Sequence, residues 1–182
     1  EALADYETYR ELAIEAGDYP SDAYDEYNVD YQIENLSAYI GIDPQAVALY
    51  QQAIDLYDEP EESVSLYTQA IELAPDFADA YLQRAYIYEY SLMDWERALA
   101  DYRKYEEIDG ESDLSSSTNR LEELIALPED AQTCLKAVDA YYYDYDYDYD
   151  TADDHFVIQQ YTCVIDSAPD YAPAYLSRAE EY

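Results

Sequence analysis

The most concentrated set of side chains that could do chemistry is a run of aspartates that alternate with tyrosines. The run contains Asp144, Asp146, Asp148 and Asp150. Carboxylate oxygens are the ligands that Ca²⁺ prefers, and the alternation resembles the start of an EF-hand loop. That loop needs Gly at its sixth position and Glu at its twelfth, where this chain has Tyr149 and His155. The sequence therefore indicates a weak calcium site of another kind, or a solvated acidic insertion over 142–152 whose tyrosine rings could stack on sugars.

The two cysteines of the chain have a simpler relationship. Cys134 and Cys163 lie equally far from position 148 along the sequence. If antiparallel helices flank the insertion, the two residues lie at one level and could form a disulfide. Such a bond would indicate an oxidising compartment, whereas the alternative is two small buried side chains. The cysteines form no CxxC pair, and the single histidine cannot complete a zinc site.

Catalysis has little support in the sequence. The chain has three glycines, too few for a glycine-rich phosphate-binding loop, and it has no G-x-S-x-G segment. His155 has no evident nucleophile near it in the sequence. We therefore predict that the chain has no catalytic residues, is not an enzyme and takes no cofactor other than calcium.

The charge balance restricts the partners. The chain has 44 acidic and 8 basic residues, a net charge of -36. Nucleic acids and anionic membranes need basic surfaces, so both are excluded. Membrane insertion is not expected either, because no apolar run approaches about 18 residues. The remaining partners are cations, proteins or peptides that are basic or neutral, and glycans. Self-repulsion favours a salty or divalent-rich setting, so we expect an extracellular or cell-surface location.

The sequence repeats itself. The Ala-Leu-Ala-Asp-Tyr segment at 2–6 returns 96 residues later at 98–102. The segment 67–85 returns 94 residues later at 161–179, with Tyr, Pro and Arg at matching positions. We therefore predict one array over 1–182 made of two copies, about 2–97 and 98–182.

Apolar residues recur every three or four positions through both copies, which is typical of helices. In the first segment this stripe contains Ala2, Tyr6, Tyr9, Ala13 and Ala16. Further helices are predicted at 31–40, 44–58, 61–74, 78–91, 95–108, 117–127, 129–143, 153–168 and 172–182. Acidic loops are expected at 18–30, 109–116 and 142–152. No convincing strand pattern is present, so the expected fold is all-α with no sheet.

The spacing within these helices resembles the tetratricopeptide repeat family, most clearly over 61–108 and 153–182. The matching positions are Tyr67, Ala70, Pro75, Tyr81, Ala85, Tyr88, Ala98 and Tyr102 in the first stretch and Tyr161, Pro169, Tyr175 and Ala179 in the second. Tyr105 departs from the small residue that the family has there, and the loop before Trp95 is one residue longer. The resemblance implies a right-handed α-solenoid of antiparallel helix pairs with a concave, partner-binding face.

The two ends of the array suggest how it is used. The first helix matches the second helix of a repeat, and the last helix matches a first helix. Apolar side chains at both ends lack a neighbouring helix: Ala2, Tyr6, Tyr9, Tyr175, Ala179 and Tyr182. We therefore expect a scaffold for protein–protein interaction, a structural subunit that assembles head to tail into a filament or extended array.

Two other functions remain open at this point. One is a monomeric adaptor that binds a basic or neutral peptide in an acidic, tyrosine-lined groove. The positions expected to be exposed include Asp79, Gln83 and Tyr86, which do not suit the binding of a peptide carboxylate. The other is a calcium-dependent module that binds surfaces or glycans.

Overall fold

The computed structural model describes residues 2–16, 39–56, 58–142 and 154–182, and this part of the chain is all-helical. The prediction of an all-α fold is confirmed for these residues, which contain no strand. The predicted helix at 31–40 and the acidic loop at 18–30 lie outside the described residues, apart from a turn that begins at Tyr39.

The described helices are numbered in chain order. They are α1 (Ala2–Ala16), α2 (Pro44–Asp55), α3 (Pro60–Leu73), α4 (Ala78–Tyr86), α5 (Trp95–Asp109), α6 (Ser115–Ile125), α7 (Glu129–Tyr142), α8 (Asp154–Ser167) and α9 (Ala172–Glu180). From α2 onward, helices pack mainly on their neighbours in sequence, as in the pairs α2–α3, α4–α5 and α7–α8. The core is therefore spread along the chain rather than gathered around one centre.

Local signals in the sequence explain several helix ends. Pro44 and Pro60 occupy the first turns of α2 and α3, where a missing N–H costs nothing. The Asp43 side chain accepts a hydrogen bond of 2.7 Å from the Gln45 N–H, which caps α2. Gly110 ends α5 with a φ of 70°, a left-handed conformation that favours glycine.

The predicted helix at 44–58 is wrong at its end, because the chain turns three residues earlier. The Glu59 N–H donates to the Leu56 carbonyl at 2.8 Å and closes this turn. The Ser63 hydroxyl, fully buried in α3, lies 2.6 Å from the Leu56 carbonyl oxygen and 3.1 Å from that of Ala53. Ser63 therefore adds a side-chain contact from α3 to two carbonyls at the end of α2, each of which also accepts a backbone N–H.

The predicted helix at 78–91 is confirmed in its bounds, but its second half differs in type, because residues Ile87–Ser91 form a π-helical turn. The Leu92 N–H donates to the Ile87 carbonyl at 3.0 Å, a five-residue step. This wider turn accommodates the extra residue before Trp95. Both Tyr88 and Glu89 are buried within it.

Alanines lie where the helices approach each other most closely. Six of them have no exposed surface: Ala46, Ala70, Ala80, Ala85, Ala98 and Ala131. Aromatic rings fill the space beside these contacts, and the ring centroids of Tyr50 and Phe77 are 4.8 Å apart. Small residues let helix backbones approach, and the large rings bury most of the apolar surface. Among the described helices, none combines the length and the apolar character needed to cross a membrane.

Replacing one of these alanines tests the close approach. Ala98→Leu places extra carbons at a completely buried helix contact on α5, where there is no room for them. The free energy of unfolding should therefore fall by roughly 1–3 kcal/mol. Ala100→Leu is the matched control on the exposed face of the same helix, and it should change the free energy by less than about 0.5 kcal/mol. Urea denaturation followed by circular dichroism measures both, and equal effects would contradict this packing.

Candidate interaction surfaces

One arginine contacts side chains on two neighbouring helices and so links three helices. Arg84 on α4 forms a bidentate ion pair with Asp101 on α5, with Nε–Oδ2 and Nη2–Oδ1 distances of 2.7 and 2.8 Å. Its Nη1 also donates to the Thr68 hydroxyl on α3 at 2.8 Å. The two charged side chains are 14% and 8% exposed. Planar, two-bond contact of this kind fixes the register of α4 against its neighbours.

Arg84 keeps its charge despite this burial. Burial disfavours the charged guanidinium, but the hydrogen bonds to Asp101 and the charge of that carboxylate outweigh it and raise the pKa of Arg84. The guanidinium carbon also lies 5.7 and 5.9 Å from the ring centroids of Tyr81 and Tyr88, where the ring faces attract a cation. The contact is therefore an ion pair at any physiological pH.

The second copy repeats half of this arrangement. Nη1 of Arg178 on α9 donates to the Thr162 hydroxyl on α8 at 3.2 Å, and its guanidinium carbon lies 5.9 Å from the Tyr175 ring centroid. The Tyr175 hydroxyl donates to the Pro169 carbonyl at 3.0 Å, as Tyr81 donates to the Pro75 carbonyl at 3.3 Å in the first copy. The described residues give Arg178 no carboxylate partner.

One face of α9 is exposed, whereas the matching face of α4 is buried. Tyr175, Leu176 and Tyr182 are 43%, 64% and 89% exposed, and Ala179 is exposed as well. The positions of the first copy that match Leu176 and Tyr182 are Leu82, which packs into the core, and Tyr88, which is buried. The structure thus places two predicted end residues, Tyr175 and Ala179, on one open helix, and the third, Tyr182, two residues after its end.

The helix α1 is open too. Tyr9, Leu12 and Ile14 are all more than half exposed. Every other side chain of α1 that the structure describes is also exposed, apart from a half-buried Arg10. The side chains of Ala2 and Tyr6, which were predicted to be end residues, lie outside the described residues.

A groove of about 310 Å³ lies between α2 and α4. Its lining has no charged side chain and includes Ile54, Gln83, Tyr86 and Tyr90. The Tyr86 and Tyr90 rings stack with centroids 6.4 Å apart, and Tyr86 is 40% exposed. The expectation that Asp79 and Gln83 are exposed is wrong, because both are half-buried where α4 packs. An uncharged, aromatic lining suits a neutral segment better than a basic one.

A second cavity, of about 170 Å³, holds a polar network that the sequence did not predict. Glu89 accepts a hydrogen bond of 2.5 Å from the Tyr102 hydroxyl on one carboxylate oxygen and pairs with Arg120 through the other. Burial raises the pKa of Asp139 on the same cavity, and Arg120 partly opposes this. Both oxygens of Glu89 contact other side chains of the protein, so this network links the π-helical turn to α5 and α6. No sequence signal marked Glu89, because the π-helical turn is what directs it inward.

The two cysteines are joined. A disulfide links Cys134 on α7 to Cys163 on α8, with Cα atoms 6.3 Å apart. Cys134 belongs to a buried cluster with Ala131, Val164 and Ala174. The bond thus connects the two helices that flank the acidic insertion and holds α8, on which α9 packs.

The calcium prediction falls on Asp144, Asp146, Asp148 and Asp150, all of which lie outside the described residues. Elsewhere, the described ranges contain no group of three His, Cys, Asp or Glu side chains placed to hold a metal ion. His155 is exposed, and its Nε2 lies 3.2 Å from Nε2 of Gln159.

Reducing the disulfide should destabilise the chain. The cysteines are 29 residues apart, and closing a loop of that length stabilises the folded state by roughly 3–4 kcal/mol in the chain-entropy account. The urea midpoint should fall on adding a reductant. The Cys134→Ala/Cys163→Ala variant is the control: it should start lower and not respond to the reductant. An unchanged midpoint in the native chain would contradict this role.

These surfaces have to be interpreted from their own geometry. No protein-family model matches the chain, and no curated protein matches it. The useful comparison is internal, between α4 in the first copy and α9 in the second. It identifies the open face of α9 and the groove beside α4 as the candidate interaction surfaces.

Proposed function

We propose that the chain is a non-enzymatic scaffold for protein–protein interaction, and that copies of it associate head to tail into a filament or extended array. The observation that carries the proposal is the exposure on α9 of the face that α4 buries against α5. Leu176 is 64% exposed, whereas the matching Leu82 packs into the core. An exposed apolar helix face is stabilised when a partner covers it.

A right-handed solenoid of tetratricopeptide type is part of this proposal. The support is the recurrence of the same contacts at the same spacing: Thr68 with Arg84, and Thr162 with Arg178. Helices that pack on their sequence neighbours also fit such a stack. In a stack each unit covers the apolar face of the next one, so a unit without a neighbour exposes that face.

The identity of the covering helix follows from the repeats. Within one chain, the helix that covers α4 is α5, which begins with Trp95 and then contains Ala-Leu-Ala-Asp-Tyr at 98–102. The same five residues occur at 2–6 in α1. A contact between α9 of one chain and α1 of the next chain joins two different faces. Such contacts build rings or filaments.

The location of such an array is part of the proposal. The disulfide between Cys134 and Cys163 supports an oxidising compartment, at the cell surface or outside the cell. A net charge of -36 opposes association unless counterions screen it. An ionic setting therefore favours assembly.

Self-association should increase with protein concentration and with salt. About 1 M NaCl shortens the Debye length to ~3 Å and so weakens the mutual repulsion. Sedimentation velocity over a concentration series at low and high salt measures this. Leu176→Glu should weaken association, whereas Leu73→Glu, which adds the same charge at another exposed leucine, should leave it near the native value. A monomer at every concentration and salt level would contradict the proposal.

A second candidate function is peptide binding in the groove between α2 and α4. The uncharged lining and the stacked Tyr86 and Tyr90 rings favour it. Such a site would let a monomer, or each unit of an array, bind an extended neutral segment.

Substituting one groove tyrosine tests this second function. Tyr86→Ala should weaken binding of a labelled neutral, leucine- and proline-rich peptide by about tenfold, because it removes an aromatic contact. Tyr9→Ala, at an exposed tyrosine outside the groove, should have no effect. Fluorescence anisotropy with this peptide and with an oligolysine of equal length measures both. Binding that does not depend on Tyr86, or that follows peptide charge alone, would contradict a groove site.

A further inference from the structure

The basic side chains of this chain are few, and the structure pairs most of them with acids. Five ion pairs join Arg84, Arg97, Arg103, Lys104 and Arg120 to carboxylates. Lys136 lies over the Trp95 ring, with Nζ 4.6 Å from the ring centroid. Arg178 also has no carboxylate among its described contacts, which are a hydroxyl and a ring. In a chain with 44 acidic residues, this half-buried guanidinium is held in place without a carboxylate.

The first copy shows what is missing around Arg178. Arg84 contacts Thr68 on the preceding helix, Tyr81 on its own helix and Asp101 on the following helix. Arg178 has the counterparts of the first two, Thr162 and Tyr175. Two contacts are absent: the ring that Tyr88 provides to Arg84, and the carboxylate from the following helix.

Asp5 on α1 has the properties of that carboxylate. It occupies the position of Asp101 within the repeated Ala-Leu-Ala-Asp-Tyr segment. It is exposed, and the described residues give it no ion-pair partner. The segment also provides the small residue that a close approach needs, since Ala98 in α5 is completely buried against α4 and matches Ala2 in α1.

We propose that Arg178 of one chain and Asp5 of a second chain form a bidentate ion pair, which sets the register of head-to-tail association. This inference rests on the proposed self-association and names the contact that specifies it. Thr162 keeps the guanidinium in place before association, as Thr68 does for Arg84. Each interface contains one such pair, formed by α9 of one copy and α1 of the next.

Two single variants and their mixture test the pair. Asp5→Arg and Arg178→Asp should each weaken self-association of the 182-residue chain by about tenfold or more, because each places like charges together at a desolvated contact. In a one-to-one mixture, Asp5→Arg and Arg178→Asp chains can alternate so that every interface joins opposite charges. The mixture should therefore associate to within about threefold of the native chain. Sedimentation velocity in about 1 M NaCl measures all three samples.

General charge repulsion makes the opposite prediction for one of these variants. Asp5→Arg makes the chain less acidic, so repulsion alone would strengthen association, whereas loss of the pair weakens it. Glu7→Arg is the matched control, since it makes the same charge change at an exposed site on α1, and it should not weaken association. Circular dichroism of each variant should match the native spectrum.

The outcomes separate this inference from the proposed function. If the native chain associates and Asp5→Arg associates equally well, or the mixture fails to recover association, the ion pair is wrong and the scaffold proposal stands. If the native chain stays monomeric in every condition, the head-to-tail proposal and the pair both fail.

Discussion

The close approach of neighbouring helices at alanine contacts is the constraint on which the other features of this protein depend. Ala85 on α4 and Ala98 on α5 have no exposed surface, and a larger side chain at either position would separate the two helices. Only at this separation do both nitrogens of Arg84 reach both oxygens of Asp101, at 2.7 and 2.8 Å. Tyr86, at the end of α4, and Tyr90, in the π-helical turn that follows, line the groove beside α2.

The extreme acidity of the chain gives its basic residues a particular importance. Arg84 and Arg120 both bridge different helices through buried or half-buried carboxylates. Both arginines lie where helices meet, so their positive charge offsets the repulsion between neighbouring acidic helices. The same principle extends to contacts between copies, where a charge of -36 opposes association. Apolar burial between α9 and α1 then favours the contact, and salt reduces the opposing repulsion.

Much of the fold could be predicted from the sequence because its signals are local. Proline at helix starts and the three-to-four-residue apolar period predict the helix positions to within a few residues. What the sequence could not indicate were features that depend on neighbouring turns. The π-helical turn at Ile87–Ser91 changes which side of the chain Glu89 faces, and periodicity assumes a uniform helix. The early end of α2 likewise involves the next helix, whose Ser63 hydroxyl lies 2.6 Å from the Leu56 carbonyl oxygen.

The candidate sites divide in the same way. The exposed apolar residues of α9 could be predicted because α4 provides a covered copy of the same helix in the same sequence. The groove could be predicted only in outline, since Asp79 and Gln83 turned out to be half-buried. The Glu89–Arg120–Asp139 cavity had no sequence signal, because its members come from three separate segments.

The most direct test of the account is an image-based reconstruction of the assembled chain by cryo-electron microscopy at high salt. Head-to-tail association predicts a heterologous contact in which α9 of each chain packs on α1 of the next chain, in the arrangement that α4 and α5 have within one chain. A symmetric dimer in which α9 packs on α9, or an assembly in which α9 remains uncovered, would contradict it.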